Sequence, residues 1–250
     1  MIGIIGAMDI EIERINAQLT DKKEEVISGV SYTSGKIGET EVVTAICGIG
    51  KVFAAICAQT MILKYKVTAI INTGVAGTLT DKVGVLGSVV ASALVQHDMD
   101  TTYFGDPKGM ISGINIVEFK ADEELSQKVC ANIEGNYIRG VIASGDAFIA
   151  DEHRKKEIAD TFNAVACEME GAAIAHVCYM NNTPVCVVRS ISDGADGDQN
   201  LSYEQFREEA AAQSAKIIIN TIKNIYRCRN PLRCTPNNMS RGQTISSRQR

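Results

Sequence analysis

VTAIINTG, residues 67–74, is apolar at successive positions rather than alternate ones, and VCVVRS within PVCVVRSIS, residues 184–192, repeats the habit. A strand with one wet face alternates polar with apolar residues, whereas a strand covered on both faces does not. Both segments therefore read as central strands of a sheet with helices on either side. Around them, short β-rich runs alternate with helical ones, the pattern of an α/β layer fold. The other strand candidates are IGIIGA (2–7), VSYTSGKI (30–37), TEVVTAIC (40–47), GSVVASALV (87–95) and GVIASG (140–145). Helices are predicted near 9–19, 51–64, 122–134, 151–161, 170–181 and 202–226. The last is marked by a capping box of Ser202 and Gln205. No internal repeat or interdomain linker interrupts this series, so residues 1–226 read as one domain.

Residues 227–250 differ in kind. They carry six Arg and no acid, so the remainder holds 19 basic against 30 acidic residues, a net of −11 where the whole chain has −5. With so little apolar surface this segment cannot fold alone and reads as a disordered basic tail. The acidic body argues against general nucleic-acid binding, which needs a basic face. No apolar run approaches a membrane span, and MIGIIGAM is too short for a signal sequence. The eight cysteines form no C-x-x-C and no zinc spacing with histidine; they read as small hydrophobes in a reducing, cytoplasmic compartment.

In α/β folds ligands bind beyond the carboxyl ends of strands, and five such ends carry small or acidic residues: GAMDIE, CGIGK, TGVAG, SGDAFIAD and SISDGAD. GIIGAM is not the dinucleotide fingerprint, and GIGK lacks the Walker spacing. Asp196 cannot open a calcium loop, because Leu201 and Arg207 fall where Gly and Glu are required. His97, His153 and His176 read as structural or solvated, and neither metal nor cofactor is expected. Each acid leaves two readings open. Glu11 stands in the first turn of a helix, where acids are common, or serves as a general base. Asp193 is a loop or capping Asp, or a carboxyl tuned by burial and by Arg189 on the same strand. Phe148 is core, or a platform for a flat heterocycle. Within VACEMEGAAIAHV, residues 165–177, Glu168 and Glu170 reach water at a strand end or grip a polar ligand, because burying ionised Glu without a partner is costly. On a strand these two face one side and Met169 the other, unless the strand end twists.

Taken in order, GIIGAMDIEIE, GIGKV, INTGVAG, SGDAFI, CEMEGAAIAHVC and VVRSISDGAD resemble the bacterial 5′-methylthioadenosine/S-adenosylhomocysteine nucleosidases, of the nucleoside phosphorylase-like family. The likeness extends over all but the tail. It implies a three-layer α/β/α sandwich with a central mixed sheet, and a homodimer that hydrolyses the bond to adenine in methionine salvage and in recycling the by-products of S-adenosylmethionine. On this implication Glu11 activates water and Asp193 protonates the purine. Glu170 binds the ribose hydroxyls, with Met169 and Glu168 beside it. Phe148 stacks on adenine while the Ile149 backbone reads its edge. Met8, Ile49 and Tyr203 line the alkylthio pocket, and Phe104 reaches over from the partner subunit. Ala76, Gly77, Arg189 and Ser192 complete the substrate-binding set. Many relatives have Ser where this chain has Val75, so only backbone contacts carry over at that position. A phosphorylase of the same fold would need cations where Asp9 and Glu11 stand. Aminodeoxyfutalosine or 5′-deoxyadenosine would suit the same apolar pocket, and a non-catalytic nucleoside-binding protein would have no need for Glu11, Glu170 and Asp193 together.

Overall fold

The computed structural model describes residues 1–193 and 199–225; the basic tail and the middle of SISDGADGDQN lie outside them. Ten strands form one mixed sheet: β1 Ile2–Gly6, β2 Thr20–Ile27, β3 Val30–Ile37, β4 Thr40–Ile46, β5 Ala69–Thr78, β6 Ser88–Gln96, β7 Phe119–Lys120, β8 Tyr137–Ser144, β9 Ala164–Glu168 and β10 Val185–Asp193. Six helices alternate with them: α1 Asp9–Asn16, α2 Lys51–Tyr65, α3 Glu123–Cys130, α4 Glu152–Phe162, α5 Gly171–Met180 and α6 Gln199–Asn224. The strand order is β10-β6-β8-β9-β5-β1-β4-β3-β2, and β10 also pairs with β5. Five strands (β5, β10, β6, β8 and β9) thus close into a ring, and the remaining path from β1 to β2 extends from it as an open sheet.

The two-faced burial expected of the central strands is present. In β1, Ile5 joins a core with Ala54, Cys57 and Met61 of α2 and Ile174 and Cys178 of α5. Its neighbour Ile4 joins another core with Ile12 and Ile15 of α1, Val129 of α3 and Ile218 and Ile222 of α6. Val187 and Val188 of β10 divide between the same two cores. Alternate residues of one strand therefore feed opposite layers, which produces the α/β/α sandwich.

Three strands carry no clear sequence signal. β2 (TDKKEEVI) is exposed along nearly its whole length at the sheet's edge, where charge discourages pairing with other chains. β7 has two residues, and β9 is hidden in the run that leads into α5. TGVAG, expected as a turn, lies within β5, paired with β10 from Gly74↔Arg189 to Gly77↔Asp193. Glycine and alanine here leave room beside the strand instead of turning it. Helix α6 begins at Gln199, so Ser202 falls inside the helix rather than ahead of it.

Candidate active site

All five strand ends meet at one cleft. Met8 and Glu11 come from the β1–α1 junction, Ile49 from the loop after β4, and Val75, Ala76 and Gly77 from β5. Phe148 comes from the loop after β8, Ser192 and Asp193 from the end of β10, and Cys167 through Glu170 from the β9–α5 junction. Tyr203 of α6 closes one side, its ring 5.7 Å from that of Phe148 in an edge-on arrangement and its hydroxyl 3.7 Å from Met8 Sδ. A larger groove among α1, α3 and α6 is lined by Arg14, Asn132, Glu134 and Lys216 and receives none of these strand ends.

Glu11 occupies the third position of α1 and turns back to the helix start. Its Oε2 accepts the N–H groups of Ala7 at 2.7 Å and Met8 at 3.1 Å, and its Oε1 accepts that of Val75 at 3.1 Å. Such anchoring fixes the carboxylate while it caps the helix. Gly74 makes the approach possible: a Cβ there would overlap both Glu11 Oε1 and Arg189 Nη1. Burial pushes the Glu11 carboxyl above its ordinary range, against the opposing pull of Arg189 and the three N–H groups.

Glu168 and Glu170 belong to different elements, since β9 ends at Glu168 and Glu170 caps α5. Strand alternation therefore stops between them, and Glu168, Met169 and Glu170 all line the cleft. The partners of the two acids differ. Glu168 accepts from Arg189 Nη2, from the Ser144 hydroxyl, and from the N–H groups of Glu170 (3.1 Å) and Gly171 (2.8 Å), so its oxygens are engaged within the protein. Glu170 Oε1 accepts the Gly50 N–H at 2.8 Å, while its Oε2 stands 3.7 Å from Arg189. Burial and the adjacent Glu168 raise the Glu170 carboxyl, and Arg189 opposes them.

Arg189 lies behind the cleft and not on its lining. It is fully buried, donates to Asn72 Oδ1 at 2.5 Å and pairs with Glu168, while Asn72 donates to the Ile5 carbonyl at 2.9 Å. Its charge acts on Glu168, Glu170 and Glu11. It does not tune Asp193 as the shared strand suggested. The register of β10 shifts between Ile191 and Asp193, breaking the alternation that would align the two. Asp193 is instead raised by burial, and the Ser192 hydroxyl (2.9 Å) and the Lys155 charge only partly offset this. Gly77 gives it space, since a Cβ there would stand 2.8 Å from Asp193 Oδ2.

Two expected residues stand apart. Ile149 is buried with Val95, Ala143 and Ile158, its side chain off the cleft lining. Phe104 lies on a short 3-10 turn, Thr102–Phe104, 79% exposed and edge-on to Tyr103. Ser144 and Asn72 were not singled out by their chemistry, although Ser144 opens SGDAFIAD and also accepts the Ala172 N–H at 2.7 Å. Among the described residues no His, Cys, Asp and Glu cluster could hold a metal ion.

Comparison with known proteins identifies the family. The family model of the phosphorylase superfamily matches residues 1–223. The 5′-methylthioadenosine/S-adenosylhomocysteine nucleosidase of Shewanella loihica is 36% identical over 229 residues, 90% of this chain and 99% of its own. The Neisseria meningitidis enzyme of the same name, solved with methylthio-immucillin-A, matches with a TM-score of 0.85 at 32% identity, covering 89% of this chain and 98% of the other. Futalosine hydrolase of Helicobacter pylori strain 26695 matches with a TM-score of 0.84 at 35% identity, covering 89% and 97%. Likeness of this extent in both sequence and fold places the chain in the phosphorylase superfamily, as a member of its 5′-methylthioadenosine/S-adenosylhomocysteine nucleosidase family.

Proposed function

We infer that this protein hydrolyses the N-glycosidic bond of 5′-methylthioadenosine and S-adenosylhomocysteine, releasing adenine and the corresponding thioribose. The observation that carries this reading is the charge balance of the cleft. Glu11, Glu168, Glu170 and Asp193 reach it, while no Lys or Arg lines it among the described residues. The guanidinium paired with these acids, Arg189, is sealed behind them. A phosphate dianion would find no cation to bind, whereas water needs none, and a ribose that develops positive charge is favoured by surrounding carboxylates.

In this account the water oxygen bonds to C1′ as the C1′–N9 bond breaks. Glu11, oriented by three N–H groups that together with the Arg189 charge favour its ionised form against burial, takes the water's proton. Asp193 delivers its proton to purine N7, so the electron pair returning to N9 leaves on neutral adenine. Glu170 keeps an oxygen for the ribose hydroxyls because Glu168, in its supporting place, is satisfied by Ser144, Arg189 and the start of α5. Phe148 stacks on adenine and the Ile149 backbone reads its edge. Met8, Ile49 and Tyr203 cover the 5′ substituent. The likeness to a futalosine hydrolase favours tolerance of other 5′ groups in the same reaction.

The active form is a homodimer. Two adjoining grooves between α2 and α5 share Ala55, Gln59 and Val177 and leave Val52, Ile56, Leu63 and Met180 exposed, and a second copy would cover them. Phe104 would then reach the partner's cleft. No helix among the described residues is long and apolar enough to cross a membrane, and a cytoplasmic location accords with a chain whose six described cysteines are free.

Chromatography of adenine released from methylthioadenosine, with and without phosphate, tests the reaction. Equal release in both is expected; strict dependence on phosphate would overturn hydrolysis, and binding without release would make the protein a sensor.

A further inference from the structure

Asp98 lies two residues beyond β6 and outside the cleft, yet both its oxygens are committed to segments that line it. Oδ1 accepts from Lys51 Nζ at 2.6 Å, and Oδ2 accepts the Asp146 N–H at 2.9 Å. Asp146 Oδ1 in turn accepts the Lys51 N–H at 2.8 Å, which closes a ring of three residues from three strand ends. Gln96 Oε1 takes a further Lys51 contact at 3.3 Å. Lys51 directly follows Gly50, whose N–H holds Glu170, and Ile49, which lines the cleft. Asp146 precedes Phe148 by two residues. Gly50 adopts φ +100, and a Cβ there would come within 3.0 Å of Asp146 Oδ1, so the two segments fit closely.

The side chains of Lys51 and Asp98 are 18% and 23% exposed, and Asp98 and Asp146 lie at the surface. Three charge-assisted hydrogen bonds linked in one ring hold more firmly than an isolated surface ion pair. The flanking elements have separate anchors, α2 through Ala54, Cys57 and Met61 and β8 through Ile142 and Ala143. Loss of the ring would therefore be felt in the two loops before it is felt in the fold.

We propose that Asp98 is a positioning residue: it locks the segment from Ile49 to Lys51 against the segment from Asp146 to Phe148, setting Glu170 for the ribose and Phe148 for the base. The identity of the ligand rests on the nucleosidase reading above; the clamp itself does not.

Asp98→Ala, Asp98→Asn, Lys51→Gln and the Asp98→Asn/Lys51→Gln pair test it in the full chain. Asp98→Ala raises KM for methylthioadenosine and the Kd for adenine roughly tenfold or more, the worth of a charged hydrogen bond, with a smaller change in kcat. Asp98→Asn keeps an acceptor for the Asp146 N–H and falls between Asp98→Ala and the parent. The double variant is no worse than its poorer single, because each single breaks the same contact. Amide exchange at 49–51 and 146–148 quickens together in Asp98→Ala, an observation independent of any turnover. Unchanged KM, Kd and exchange, or fully additive losses accompanied by a matching fall in Tm, would overturn the clamp. A parent protein that releases no adenine but shows the exchange behaviour would refute the nucleosidase reading and leave the clamp standing.

Discussion

Asp193 must hold a proton at neutral pH if it is to pass one to the purine, and its surroundings favour that form. Burial lifts its carboxyl above the ordinary value of 3.8, and neither Ser192 nor Lys155 restores it fully. The sign for stability follows. A carboxyl whose folded pKa is raised contributes fully below its unfolded pKa and loses that contribution as pH rises through the folded value. Asp193→Asn removes this penalty. Turnover of adenine nucleosides is expected to fall at least about a hundredfold, while Tm at neutral pH rises. The gain should vanish below the ordinary Asp value of 3.8, and thermal scans at pH 3 and pH 8 read it. Near-normal turnover would remove Asp193 from the chemistry. Glu11 and Glu170 drew notice in the sequence for the same reason as Asp193, since acids beside apolar runs need an explanation. Ser144 and Asn72 did not, because a small polar residue at a strand end looks the same whether it turns the chain or holds a buried acid. Arg189 was visible, but its direction was not, because the register shift after Ile191 leaves no trace in composition.

Strand β5 shows most clearly what an element contributes. TGVAG carries almost no side-chain chemistry, yet Gly74 admits Glu11 and Arg189 and Gly77 admits Asp193. Gly74→Ala is expected to displace the Glu11 carboxylate and lower kcat/KM about a hundredfold, the scale of a misplacement near 1 Å. Gly84→Ala, with open space around its Cβ and no cleft contact, should leave kinetics unchanged. Equal effects of the two variants would show that Gly74 has no special place. The helices and the longer strands were legible because burial on one or two faces imposes a period on the sequence. β2 escaped notice because it buries almost nothing and β7 because two residues show no period, while β9 showed only as the strand end at Glu168. The glycines read as a turn because glycine signals permissive backbone without saying whether the space serves the chain or a neighbour.

At the scale of the whole molecule, closure of five strands into a ring brings together ends that lie far apart in sequence, from Val75 to Asp193, beside Met8 and Ile49 of the open sheet and Tyr203 of α6. The layered fold was readable from its two-faced strands; the ring was not, because it depends on β5 pairing with β10 and β9 at once. The exposed faces of α2 and α5 make a prediction of their own. Light scattering should give twice the chain mass, and Val52→Glu with Ile56→Lys should give the monomer with reduced turnover, Phe104 no longer reaching a second cleft. A monomeric parent of full activity would contradict the homodimer. The reaction itself is tested most directly with methylthioadenosine in ¹⁸O-labelled water containing phosphate, followed by mass analysis of the sugar product. Hydrolysis at C1′ predicts one labelled oxygen on methylthioribose and adenine in equal amount. Unlabelled methylthioribose 1-phosphate as the product would contradict it.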